Sequence, residues 1–385
     1  MLTHITRHPL LISAALLLTV ACADEDDHDP SLNSSFPSGA SNMSADAGDG
    51  SASDSGGAPT GNYLTTDDFS LGHGGGCLVS DDNEVWCWGH NSNGVQGPDA
   101  PRFEIGNMSD PFKATRIRDI PEAQQVAVGW SSACALTTDA RVFCWGTGGA
   151  VFPTVPLHEM PAFNVQTYEI TGFGGVVTQL EVGVFQACAL LDSGEVSCWG
   201  THQETPARLE GFEGITQVSA GRHAVCGLDR DGAVYMVERK GFGFPWGEVE
   251  MLAPRGVSKV DCTDSGVCAL FDDGHIGCMW MDPDDVEARR LATIEGISDA
   301  IDMDKGYDTS CGLLPNGTPL CWGAFNTTDH PGEPRGINTA AVPTPGLTDG
   351  QLVRASGDLE TCVLTSHRTI RCNTEYQRLL GLVSR

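Results

Sequence analysis

The sequence predicts an all-β domain built from seven copies of one hairpin, and three observations carry that prediction. A pattern of Gly, four residues, Cys-x-Leu, a turn and Val-x-Cys-Trp-Gly returns along the chain, its first cysteine falling at Cys77, Cys134, Cys188, Cys226, Cys268, Cys311 and Cys362. Within each copy the apolar residues alternate with period two, which buries one face of a strand and does not match the 3.6-residue period of a helix. Between the two alternating runs stands a turn triplet, such as Asp192-Ser193-Gly194 in the third copy, of the kind that closes a three-residue hairpin with Gly in the left-handed position.

The copies lie 38 to 57 residues apart, and six of them keep a second cysteine ten places on, at Cys87, Cys144, Cys198, Cys278, Cys321 and Cys372. In the fourth copy Met236 takes that place. A β-branched residue stands two before the second cysteine at Val85, Val142, Val196, Val234, Ile276 and Ile370, with Pro319 the exception. Turn glycines matching Gly194 recur at Gly232, Gly274 and Gly317, while Asn83 replaces Gly in the first copy as one of the few side chains that tolerate a left-handed backbone.

If Leu190 faces Val196 across the third hairpin, Cys188 faces Cys198, because antiparallel partners keep a constant sum of residue numbers. Directly opposed residues have Cα atoms about 4.5–5.5 Å apart, within disulfide range. Ten positions is too wide for a metal or redox motif of the C-x-x-C kind. The competing reading is paired free thiols used as small core residues. Of the 15 cysteines, six hairpin pairs use twelve and Cys22 lies near the N-terminus, which leaves Cys226 and Cys262. A bridge between those two, joining neighbouring copies, is expected.

The N-terminus has a basic residue, Arg7, then an apolar run from Leu10 to Val20 and Ala21-Cys22. The run is shorter than the ~20 residues that span a bilayer and has the layout of a secretory signal. Residues 1–21 are therefore expected to be a signal peptide. A small residue followed by Cys22 resembles the lipobox of bacterial lipoproteins, which implies lipidation of Cys22. Thr19 stands where that family favours Leu, and an ordinary cleaved signal with a chance cysteine is the alternative. Ala23 after the cysteine resembles the enterobacterial pattern for outer-membrane delivery.

From 22 to 62 the composition shifts to Asp, Ser, Gly, Ala and Asn, a segment too poor in apolar side chains to offset its ordering entropy. It is expected to be a disordered tether spanning about 35 Å. The remainder, 63–385, holds every copy of the repeat. The formal net charge of −29 repels phosphates and anionic headgroups and excludes nucleic acid as a partner.

The combination of Gly-x-x-x-x-Cys-Ala-Leu, Gly-x-Val-x-Cys-Trp-Gly and "WGHNSNGVQG" in the first copy resembles the regulator of chromosome condensation repeat, in the cysteine-paired form of exported bacterial proteins. The resemblance covers about Tyr63 to Arg385 and implies a seven-bladed β-propeller of four-stranded blades. The chain departs from the pattern at Val237, Met279 and Asn373, which stand in place of Trp. Either the final apolar segment from Leu379 to Val383 or the region near Tyr63 would supply the strand that closes the ring.

No H-E-x-x-H, G-x-S-x-G or phosphate-cradling loop occurs, so no catalytic, metal or cofactor site is assigned. "DMDKGYD", from Asp302 to Asp308, spaces its carboxylates like a calcium loop, but Gly306 is the repeat glycine and the backbone there should be a strand entering a turn. The residue types that vary as a binding surface would are those just after each repeat glycine. They are His73, Trp130, Val184 with Phe185, Arg222 with His223, Asp264, Tyr307 and Asp358. Aromatic and Arg side chains are enriched among interface anchors, and His73, Trp130, Phe185, Arg222, His223 and Tyr307 form the candidate binding face. The alternative is that these residues pack inward.

The resulting expectation is a monomeric, lipid-anchored, non-enzymatic module of the cell envelope that binds a protein partner or ligand. The alternative is an envelope hydrolase or lyase with its site at the channel mouth. Nucleotide exchange on a GTPase, as the resemblance would imply, is disfavoured by export and by the negative charge.

Overall fold

The computed structural model describes residues 63–89, 91, 93–97, 100, 113–148, 166–200, 203–239, 245–262, 266–280, 290–306, 309–323, 338–356, 360–374 and 379–383. The expected signal peptide, Cys22 and the tether lie outside them. The described residues contain 28 strands, four consecutive ones to each of seven antiparallel sheets. The sheets are the blades of a propeller ring, and they span 69–116, 123–170, 177–208, 215–253, 257–293, 302–343 and 350–382. The innermost strands are β1 (Phe69–Gly72), β5 (Ala123–Val128), β9 (Val177–Val182), β13 (Ile215–Ala220), β17 (Val257–Cys262), β21 (Asp302–Lys305) and β25 (Gly350–Ala355). Among the described residues no helix is long and apolar enough to cross a membrane.

The repeat hairpin is the second and third strand of each blade. In the third blade Leu190 pairs with Val196 and Cys188 with Cys198, the register that constant-sum pairing requires. All six cysteine pairs ten residues apart are disulfides, with Cα separations of 4.0–4.1 Å. Gly194 has φ 80° and Asn83 φ 59°, as their turn positions demand. Ala140 and Arg368 occupy the same turn position with φ 62° and 61°, although neither is a residue that favours it.

The expected bridge between Cys226 and Cys262 is absent: both are buried free thiols. The six bridged pairs sit opposite one another in a hydrogen-bonded ladder, which fixes their spacing. Cys226 instead faces Met236 across its own hairpin, and Cys262 lies on the inner strand of the next blade. Ser219 holds that strand, accepting a hydrogen bond from the Cys262 amide at 2.9 Å.

The core is a set of layers between blades. The Cys-Leu-Val face of one blade packs on the opposite face of the next, as Cys134, Leu136, Val142 and Cys144 do against Ala187, Ala189 and Trp199. The repeat Trp thus serves the interface with the preceding blade, and Trp88, Trp145, Trp199 and Trp322 are all fully buried. In the fourth blade Val237 fills that place. The "WGHNSNGVQG" tail is folded by Asn91, whose Nδ2 donates to the Gly97 carbonyl at 2.8 Å. It then accepts a hydrogen bond at the Val95 carbonyl from Trp145 Nε1 of the next blade, at 2.7 Å.

The repeat glycine marks where the blades approach most closely. A Cβ on Gly183 would collide with the carbonyl oxygen of Gly221 in the next blade, and one on Gly129 with that of Gly183. The inner strands of neighbouring blades converge there, and at Gly129 and Gly183 a side chain would run into backbone.

Of the two expected closing segments, it is the region near Tyr63 that reaches the seventh blade, through Leu64 and Thr66. The Leu379–Leu382 strand pairs only within the seventh sheet, as its outer strand. Closure is made by packing and polar contacts: Cys362, Leu364, Ile370, Cys372 and Val383 pack against Leu64, Phe69, Leu78 and Trp88. The Thr66 amide donates to the Arg368 carbonyl at 2.9 Å, and the Arg368 guanidinium meets Asp67 at 2.7 Å and Asp81 at 2.6 Å.

Candidate functional site at the mouth of the central channel

The inner strands surround a central channel enclosing ≈ 260 Å³. Two positions on each inner strand build its wall. At the outer of the two, the second, third and fourth blades carry Gln125, Gln179 and Gln217, and each glutamine amide clasps the main chain of the following blade. Gln125 Nε2 donates to the Leu180 carbonyl at 3.1 Å while its Oε1 accepts from the Leu180 amide at 2.8 Å. Gln179 does the same to Val218, and Gln217 to Val260.

In the fifth and sixth blades charge replaces the amides. Lys259 Nζ donates to the Met303 carbonyl at 2.5 Å and to Asp302 at 2.9 Å, and Asp302 in turn accepts from the Val353 amide at 3.0 Å. Arg354 completes the circuit, donating to the Phe69 carbonyl at 3.1 Å and to Asp68 at 2.8 Å. Buried charges are costly unless paired and hydrogen-bonded, and here the pairing joins the last blade to the first.

One step further along each inner strand are Ser70, Ala127, Glu181, Ser219, Asp261, Asp304 and Arg354. Three carboxylates thus face the channel from different blades. Burial, with Asp261 close by, pushes the Glu181 carboxyl up to about 8. The same two causes raise Asp304 to about 7. Asp261 is raised by burial as well, against the pull of Lys259 and Arg354. Glu181 accepts one hydrogen bond, from Gln179 Nε2 of the neighbouring position at 3.1 Å.

At the channel mouth the turn residues meet across blades. His73 of the first blade packs at a tilt of 39° against Trp130 of the second, with ring centroids 3.9 Å apart, and both line the channel. Phe185 of the third blade lies under the Arg222 guanidinium of the fourth at 5.1 Å, and its ring is 5.8 Å from that of His223. These five expected residues are each partly buried, so they form two cross-blade clusters rather than loose loops. Tyr307, Asp264 and Asp358 lie outside the described residues. The Phe185 cluster continues into the fourth blade, where the Arg239 amide donates to the His223 carbonyl at 2.8 Å and its guanidinium stacks 4.0 Å above Trp246.

The channel carboxylates carry no site motif in the sequence, although Asp304 falls within the calcium-loop-like "DMDK". Its backbone is the strand β21, as the position of Gly306 implied, and the alternation of that strand sends Asp302 and Asp304 to the channel side. Polar residues alternating within an otherwise apolar inner strand were the available signal.

A family model, described as the regulator of chromosome condensation repeat, matches residues 123–149. Among solved structures, Prp20p from Saccharomyces cerevisiae is similar at 16% identity and TM-score 0.57, over 72% of this chain and 76% of that one. Human WBSCR16 is similar at 18% identity and TM-score 0.60, over 77% of this chain and 86% of that one. The ectodomain of the Arabidopsis thaliana receptor kinase ACR4 aligns at 17% identity and TM-score 0.50, over 83% of this chain and 96% of that one. The chain is a seven-bladed β-propeller whose residues 123–149 match the regulator of chromosome condensation repeat.

Proposed function

We propose that this propeller is a non-enzymatic binding module of a bacterial envelope, tethered through 22–62 to a lipid on Cys22, probing its surroundings as a monomer and docking a protein partner on its channel-mouth face. The observation that carries this reading is the pair of cross-blade clusters, His73 with Trp130 and Phe185 with Arg222 and His223. Aromatic and Arg side chains already ordered by packing on one another lose little entropy on docking, which favours them as interface anchors. Six disulfides support an oxidising, exported setting. Prp20p, of similar fold, is described by its binding to Gsp1p and histones, which supports a protein as the class of partner.

The test is recovery of partner from native envelope extract by the propeller and by a variant with Trp130, Phe185, Arg222 and Tyr307 changed to Ala. The expected result is a partner retained by the parent and lost by the variant; equal recovery by a folded variant overturns the docking face. Cys22→Ser should abolish fatty-acid labelling, and labelling that persists would remove the anchor.

A further inference from the structure

The mouth face holds a cation in an unusual setting. The chain has 22 basic against 51 acidic residues, and Arg116, Arg141, Arg208, Arg354 and Arg368 are each held by a carboxylate. Arg222 is held by a ring instead: its guanidinium lies 5.1 Å from the ring centroid of Phe185 in the preceding blade. Among the described residues no carboxylate pairs with it, and its Nε is enclosed without an acceptor. A guanidinium fixed over a ring face keeps its charge and its planar fork of donors, which matches the geometry of a carboxylate.

The surroundings favour an acid supplied from outside. The mouth turns of the first four blades read Gly72-His73-Gly74, Gly129-Trp130-Ser131, Gly183-Val184-Phe185 and Gly221-Arg222-His223. None holds an Asp or Glu, in a chain whose net charge is −29. A second guanidinium stands on the same corner of the fourth blade, where Arg239 lies 4.0 Å from the ring centroid of Trp246 and its amide donates to the His223 carbonyl at 2.8 Å. The carboxylates of that blade's outer half are turned to other positions: Glu238 is opposite Ala224 in the ladder and Glu250 opposite Met236, and neither pairs with Arg222. Polyanions such as nucleic acid are held by many cations in a row, whereas two guanidinium groups beside part-exposed rings suit isolated carboxylates with apolar neighbours.

We propose that the mouth face takes its partner protein by an acidic segment, with one Asp or Glu carboxylate seated on Arg222 and an apolar neighbour packed on Phe185 and Trp130. This rests on the docking reading above and gives the partner a chemistry. The carboxylate supplies the charged acceptor that the Arg222 fork has no described residue to provide, in hydrogen bonds stronger than neutral ones. Arg239 adds positive charge toward a second acid on the same segment. The negative charge of the whole chain opposes an acidic partner, but salt screens it beyond about 8 Å at physiological ionic strength, so the groups at the contact decide the outcome. The same charge acts as a filter, turning away acidic surfaces that do not present a segment to this corner.

The test is selection of displayed random peptides on the immobilised full chain, then fluorescence anisotropy of the enriched peptides with the parent and with variants. A protein of net charge −29 collects basic peptides when binding is non-specific. Enrichment of peptides with clustered Asp or Glu beside an apolar residue is therefore the expected and discriminating result. Arg222→Gln should weaken those peptides by about tenfold or more, and Arg222→Lys, which keeps the charge and loses the fork, by less. Arg255→Gln, an exposed change just before β17 at the end away from the mouth, should leave them bound as tightly as the parent does. Unfolding midpoints show that each variant is folded. Failure to enrich acidic peptides, or acidic peptides that Arg222→Gln binds as tightly as the parent, would overturn the acidic-segment proposal. The docking reading fails separately, if enriched peptides of any composition are retained by the variant with Trp130, Phe185, Arg222 and Tyr307 changed to Ala.

Discussion

Glu181→Gln offers a direct measure of what the channel carboxylates cost the fold. The folded-state value of about 8 lies above the ordinary 4.5 of a glutamic acid, so the native protein holds a proton that the unfolded chain has released across that interval. Stability from this group is fully present below about pH 4.5 and is lost as pH rises toward 8, with a slope of at most about 1.4 kcal/mol per pH unit. Integrated over the interval, the upper bound is about 4–5 kcal/mol; water entering an open channel reduces it, and about 2–3 kcal/mol is the working expectation. Glutamine is neutral at every pH and keeps an acceptor for Gln179 Nε2, which donates to Glu181 Oε1 at 3.1 Å. The variant should therefore match the parent near pH 5 and exceed it by about 2–3 kcal/mol near pH 8.5. Urea unfolding with disulfides intact, followed by the fluorescence of the eight Trp residues, gives both values. A variant whose stability falls with pH as steeply as the parent's, or which is less stable than the parent at pH 8.5, would refute the assignment of a buried, protonated Glu181.

Gly183→Ala places a methyl group against the Gly221 carbonyl and should destabilise by about 1–3 kcal/mol or more, read as a lowered urea midpoint; an unchanged midpoint would mean that the blades can spread at the mouth. Removing the third hairpin's bridge with Cys188→Ala and Cys198→Ala opens a loop closed at a separation of ten residues. Chain-entropy reasoning gives a loss of about 2–3 kcal/mol, measured by calorimetry without reductant. Ala140, at φ 62°, pays a left-handed penalty that Gly avoids, so Ala140→Gly should raise stability by about 0.5–1 kcal/mol in thermal unfolding. The same change at Arg368 should not, since it also deletes the contacts to Asp67 and Asp81 that help close the ring.

What the sequence determined by itself is local. Seven copies, the strand alternation, the register of Cys188 on Cys198 and the left-handed turn at Gly194 all involve residues within about ten positions of one another, where ladder geometry leaves one arrangement. Cys226 and Cys262 mark the edge of that legibility: they are neighbours only because two blades pack, and no ladder sets their spacing. The tertiary structure decided everything that depends on the ring. The repeat glycine could be seen in the sequence, but its reason, a collision with the next blade's carbonyl, exists only once seven strands converge. The contact of Arg354 with Asp68 joins residues 286 positions apart. The convergence of Glu181, Asp261 and Asp304 has the same origin. Each is an unremarkable polar residue on its own strand, and only closure of the ring removes the water between them and lets each raise the proton affinity of the others.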